Sequence, residues 1–120
     1  MSLIIVAGPA GAGKTTFARR LSRLPYETDR YLGLPRDERP DALWVDICED
    51  NMQEDAVVEG CEALRAAIKT GMRRFVDIVY WVECAQPKAE CGGLTTQQER
   101  YLAKLRKERP DVPIYRVTNY

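Results

Sequence analysis

Histidine is absent from this 120-residue chain, and its cysteines are confined to positions 48, 61, 84 and 91. So few, scattered cysteines cannot form the disulfide framework of a small secreted domain, which points to a reducing compartment. Cys84 and Cys91 have no metal-knuckle spacing and no histidine to join them, so zinc is not expected there. Excess charge of one sign is missing too: 18 Lys+Arg offset 18 Asp+Glu. Nothing in that balance demands a nucleic acid or a membrane surface as partner. No apolar run approaches the roughly 18 residues that span a bilayer, and the N-terminus lacks the segments of a leader peptide. The expectation is a soluble, cytoplasmic protein with no membrane partner.

What is present, 45% hydrophobic residues in 120, suits one domain over residues 1–120. Leu3-Ile4-Ile5-Val6-Ala7 reads as a strand buried on both faces. Phe17, Leu21 and Leu24 then recur at helical spacing, which predicts a helix over 14–24 stopped by Pro25. Residues 25–41 read as an irregular crossing, and "ALWVDI" at 42–47 as a second buried strand. A following helix, capped by Asp50 or Asn51, would carry the stripe Val57, Cys61, Leu64 and Ile68 as far as Gly71. "RFVDIVYWVE" at 74–83 is the most strand-like segment. After a loop at 84–93 come a helix over 96–109, with overlapping capping boxes at Thr95/Gln98 and Thr96/Glu99, and a strand over 113–119. Strands alternating with helices predict an α/β fold, a parallel sheet of about four strands covered by helices.

The sharpest feature is Gly8-Pro9-Ala10-Gly11-Ala12-Gly13-Lys14-Thr15, which fits G-x-x-x-x-G-K-[ST] between a predicted strand and a predicted helix. Glycines let the backbone turn and approach an anion closely, so N–H groups gather at a helix N-terminus. Lys14 adds a positive charge for β- and γ-phosphates, and the Thr15 hydroxyl suits a magnesium ion bridging them. The expected ligand is a nucleoside triphosphate, held by Gly8, Ala10, Gly11, Ala12, Gly13, Lys14, Thr15 and Thr16.

On "GPAGAGKTT", the Walker A motif, the chain resembles P-loop nucleoside triphosphatases and kinases. The resemblance implies a three-layer P-loop sandwich with ATP and Mg2+. It is most similar to small kinases of the polynucleotide kinase and zeta-toxin-like type, in which a short strand after the first helix delivers an aspartate. "ETDRY" resembles that element. The likeness implies Asp29 as the acid facing an acceptor hydroxyl and Arg30 as an acceptor contact. It also implies a lid, which would fall on "CAQPKAECGG" with Lys88 and on the helix face of Arg100, Lys104 and Lys107.

A magnesium ion also calls for a carboxylate at the end of a neighbouring strand. Asp46, closing "ALWVD", ranks first, ahead of Glu83 and Asp77. Tyr26, Tyr31, Trp44, Tyr80 and Trp81 are candidates for stacking a base, although aromatic residues in strands are usually core. The chain's last residues, "VTNY", lack the Asn-Lys-x-Asp element of guanine-specific P-loop proteins, so ATP is preferred, with Thr118-Asn119 near the adenine edge. Three functions stay open: a phosphotransferase acting on a hydroxyl of a nucleotide, nucleic acid or small molecule; an ATPase or switch working on a partner; and a nucleotide-binding module.

Overall fold

The apolar run LIIVA forms β1 (Leu3–Ala7), the middle strand of a sheet in the computed structural model, which describes residues 2–50, 55–83 and 92–118. β1 pairs with β3 (Ala56–Glu59) on one side and β4 (Val76–Glu83) on the other. β2 (Tyr26–Glu27) and β5 (Ile114–Thr118) form the edges, giving the order β2-β3-β1-β4-β5 with every pair parallel. The expectation of about four strands thus becomes five. Helices cover both faces of this parallel sheet, which is why its central strands β1 and β3 are written almost wholly in apolar residues.

Alternation along β1 divides the core. Leu3, Ile5 and Ala7 face α2 (Arg39–Asp50), α3 (Ala63–Lys69) and α4 (Gly92–Glu108), packing with Leu43, Ile47, Leu64 and Leu105. Val6 points to the other face with Val57 and Val82, where Ala18 of α1 (Lys14–Leu21) and Ala12 cover them. Among the described residues, no helix is long and apolar enough to cross a membrane.

Two expectations are overturned. "ALWVDI" is helical, in the middle of α2. Its buried positions, Pro40, Leu43 and Ile47, follow helical spacing, and Val45 in the apparent apolar run is 49% exposed. Pro40 suits the first turn, where a missing N–H leaves no bond unmade. Conversely, Val57 does not belong to a helix. All four residues of β3 are buried, with Val57 in the core on one face of the sheet and Val58 in the core on the other, the period-two alternation of a strand, and the helical stripe starts only in α3. Between them Gly60 turns at φ 135°, where a Cβ would stand 1.9 Å from Thr28 Oγ1.

α1 also ends earlier than its stripe suggests, at Leu21, leaving Leu24 81% exposed. The crossing at 25–41 contains β2, a 3₁₀ turn over Thr28–Tyr31, another over Arg36–Glu38 and the start of α2. α4 begins at Gly92, ahead of the expected start. Asn51, Cys84, Lys88, Cys91 and Asn119, and with them residues 84–91 of the expected lid, lie outside the described residues.

Candidate functional site

The segments that follow β1, β2 and β3 meet at the carboxyl edge of the sheet around a cleft of about 370 Å³. Carboxyl edges of parallel sheets are where α/β folds hold ligands. Ala10, Gly11, Gly13, Lys14, Thr15 and Thr16 form one wall; Asp29 stands after β2, and Glu59 closes β3 with Gly60 after it.

Gly8 leaves β1 at φ 139°, with Val82 O of β4 only 2.2 Å from where a Cβ would be. Its N–H donates to Gln98 Oε1 at 3.0 Å, and its carbonyl accepts from Gln98 Nε2 at 2.9 Å. Gln98, on α4, is 2% exposed, so one buried amide satisfies both main-chain groups of Gly8. The loop then turns through positive φ at Gly11 and Gly13 and enters α1, whose start has no side-chain cap and no acid in its first turn. Such a helix start favours negative charge.

Lys14 is 8% exposed and folds back over the loop, its Nζ donating to Gly8 O at 2.9 Å and to Pro9 O at 2.8 Å. The next residue reaches across to β3: Thr15 Oγ1 donates to Glu59 Oε1 at 2.9 Å. Ammonium, hydroxyl and buried carboxylate are therefore set side by side by two consecutive residues of α1 and one strand end.

Burial pushes the Glu59 carboxyl above the ordinary glutamate range; Glu27 and Asp29 act the same way, while Thr15 and Lys14 oppose. Between the ordinary glutamate value and this raised one, folded Glu59 keeps a proton that the unfolded chain has released. Stability contributed at this position is therefore lost as pH rises through that window. Glu59→Gln should flatten this part of the pH–stability curve and leave the ligand-free protein more stable than wild type at neutral pH. Thermal melts between about pH 4 and 8 measure it, and an unchanged slope would remove Glu59 as the source.

The other expected acids lie elsewhere. Asp46, taken as a strand-end metal ligand, sits on α2 and accepts the Tyr31 hydroxyl at 2.5 Å. Burial, then this hydrogen bond, drives the Tyr31 pKa upward, so the phenol stays a donor and Asp46 its acceptor. Asp77, at the amino end of β4, accepts from the Ser2 hydroxyl, and Glu83 pairs with Arg116 at 2.9 Å. None of the three lines the cleft. Arg30 does not line it either: it faces Glu27 at 3.8 Å and a separate depression beside Tyr26 and Asp50. Gly8 and Ala12 shape the loop from beneath, one clamped by Gln98 and the other packed in the core.

Arg100, Lys104 and Lys107 are exposed on α4, with Lys104 lying over the Tyr101 ring. The aromatic candidates serve packing: Tyr80 contacts Phe17 and Tyr115, Trp44 contacts Phe75, and Trp81 is 3% exposed in the core. Tyr26 donates to Asp50 at 3.1 Å.

Glu59 is the strand-end acid that lines the cleft, and it was not among the acids expected there. "AVVEG" bears the same apolar-run-then-acid signature as "ALWVD", and the glycine after the acid is the cue that separates them. Gln98 gave no such cue, because its partner is 90 positions away. Among the described residues no three Cys, His, Asp or Glu side chains gather as a ready-made metal site. Magnesium needs none, since it takes one or two protein oxygens and fills its shell with water and phosphate. Thr15 and Glu59 fit that demand. Comparisons with protein-family models and with curated proteins return no match to this chain.

Proposed function

We propose that the protein is a Mg2+-dependent, ATP-using phosphotransferase of the P-loop kind, built as a three-layer sandwich, that moves the γ-phosphate to a hydroxyl. The observation that carries this reading is the contact of Thr15 with Glu59 beside the loop-bound ammonium of Lys14. A triphosphate needs donors, positive charge and a metal-holding oxygen at one place, and these residues supply them. The cleft's position at the carboxyl edge of an all-parallel sheet supports the same reading.

In the reaction, main-chain N–H groups of the loop and the Lys14 ammonium bind the phosphates and balance their charge. Thr15 and Glu59 would hold Mg2+, which when bound offsets charge on the β- and γ-phosphates. Asp29, across the cleft, orients the acceptor hydroxyl and takes its proton as the hydroxyl oxygen bonds to the γ-phosphorus. The bond from that phosphorus to ADP breaks. Positioning and charge account for the rate, since phosphoryl transfer asks little else of a protein.

γ-labelled ATP offered with pooled hydroxyl acceptors tests this: label should move to an acceptor. Label released as free phosphate regardless of acceptor would mean an ATPase or nucleotide-dependent switch acting on a protein or nucleic-acid partner instead. Asp29→Asn should lower transfer by roughly 10²–10⁴-fold, the usual contribution of a positioned acid or base, while leaving ATP affinity within about two-fold. An unchanged transfer rate would take Asp29 out of its role.

A further inference from the structure

Two residues far apart in the chain converge on one carbonyl. Gly8, buried where β1 gives way to the loop, accepts at its carbonyl oxygen from Lys14 Nζ and from Gln98 Nε2, each at 2.9 Å. The other acceptor of Lys14, Pro9 O at 2.8 Å, is shared in the same way, because the Ala12 N–H donates to it at 3.3 Å. Each carbonyl that holds the ammonium thus has a second donor. Gln98 is 2% exposed, and its orientation is fixed by what it meets: the Gly8 N–H requires its oxygen and the Gly8 carbonyl its NH2.

That sharing bears on what Lys14 can do. An ammonium has three N–H groups, and Lys14 uses two of them on these carbonyls. Reaching both a β- and a γ-phosphate therefore requires it to give up at least one carbonyl. A buried carbonyl left without a donor is costly, and that cost would weaken the binding of whatever drew the ammonium away. With Gln98 in place, Gly8 O stays paired when Lys14 leaves, as Pro9 O does through the Ala12 N–H. Ala12 belongs to the loop itself and donates from its main chain. Gln98 comes from α4, 90 positions away, and donates from a side chain that substitution can remove.

We infer that Gln98 is a positioning residue for the nucleotide: by keeping the Gly8 carbonyl paired, it frees the Lys14 ammonium for the β- and γ-phosphates. This rests on the nucleotide-binding part of the reading above. Gln98 does not line the loop cleft, and its influence passes through Gly8 O to Lys14. The two halves of its contact have different consequences. The bond from the Gly8 N–H is made with or without ligand, so losing it lowers folding stability alone. The bond to Gly8 O bears on the ligand, because the penalty of removing it arises only when Lys14 departs. Once the triphosphate is bound, that penalty stands in ground state and transition state alike, so affinity falls and the chemical step does not slow.

Gln98→Met fills similar space without a donor or an acceptor. It should weaken Mg-ATP binding, measured by calorimetry, and raise KM by about ten-fold or more, the scale of one unpaired buried carbonyl. Its kcat should stay within about three-fold of wild type, whereas Lys14→Ala loses kcat as well. A double-mutant cycle separates positioning from packing: with the ammonium already gone in Lys14→Met, adding Gln98→Met should change Mg-ATP affinity by less than about two-fold. A Gln98 that merely held the loop in shape would lose the same affinity in both backgrounds. Wild-type protein gives a reading that no substitution can spoil by unfolding. On saturation with Mg2+ and a non-hydrolysable ATP analogue, the nuclear magnetic resonance signal of the Lys14 ammonium should shift while the Gln98 side-chain amide stays protected from exchange. Unchanged affinity in Gln98→Met, a fall in kcat as large as that in kcat/KM, equal losses in both backgrounds, an ammonium signal that does not move, or a Gln98 amide that starts to exchange as nucleotide binds would overturn the inference. If Mg-ATP binding depends on Lys14 and not on Gln98, the inference falls and the phosphate site stands. If binding is indifferent to Lys14, the nucleotide reading fails, and the role of Gln98 goes with it.

Discussion

Lys14→Ala is expected to lower Mg-ATP turnover by about three orders of magnitude, the scale of losing one preorganised charge-stabilising group in a desolvated site. The side chain is 8% exposed and its ammonium is held by the carbonyls of Gly8 and Pro9. In the ligand-free protein those carbonyls are its partners. On the phosphotransferase proposal a bound triphosphate would offer stronger acceptors, so the interaction would grow as charge accumulates on the phosphates. Removing the ammonium should therefore hurt turnover more than folding: its desolvation cost disappears along with its hydrogen bonds, and Gly8 O keeps Gln98. Lys14→Met keeps most of the buried stem without the charge and should fail as badly as alanine. Lys14→Arg should not rescue, because a guanidinium is broader than the ammonium fitted between two carbonyls. Calorimetry with Mg-ATP and release of labelled phosphate measure the two effects, and thermal melts of ligand-free protein should change little. Wild-type affinity and turnover in Lys14→Ala would remove the loop as a phosphate site.

How much of this could be read beforehand depends on whether the signal is local. The loop from Gly8 to Thr15 is legible as a turn from strand to helix because its glycines and the residues after them stand in unbroken order, and six of the eight positions expected to bind line the cleft. β1 and β4 are legible because their apolar runs are long or cleanly bounded, and β5 because β-branched and aromatic residues follow directly on Pro113. β3 is not, since a run of four residues meets helix and strand periods equally well. The same ambiguity placed the expected strand-end acid at Asp46, which is on a helix, and passed over Glu59, which closes a strand. Nor could the Gln98 clamp be seen. Gln98 meets Gly8 only because α4 packs on one face of the sheet.

The local and the long-range meet at Gly8, and Gly8→Ala should be the most destabilising single substitution among those considered. An L-residue held at φ 139° costs of order 1–3 kcal/mol. The added Cβ also stands 2.2 Å from Val82 O, a main-chain atom of β4 that no side-chain rotation can clear. Relief requires β4 to part from β1 near the pair Ala7–Trp81, at the middle of the sheet, or Gly8 to swing off Gln98 and leave its buried N–H unpaired. Together these should remove about 3–5 kcal/mol, a large share of the 5–15 kcal/mol by which a domain is stable. Gly33→Ala is the control: no atom lies within 4 Å of its added Cβ, and it should change stability by less than about 0.5 kcal/mol. Urea unfolding compares the two, with Mg-ATP affinity measured on whatever Gly8→Ala protein still folds. Equal midpoints would mean that β1 and β4 are not packed as closely at Gly8 as this contact requires, and the loop would then be set by its own glycines alone.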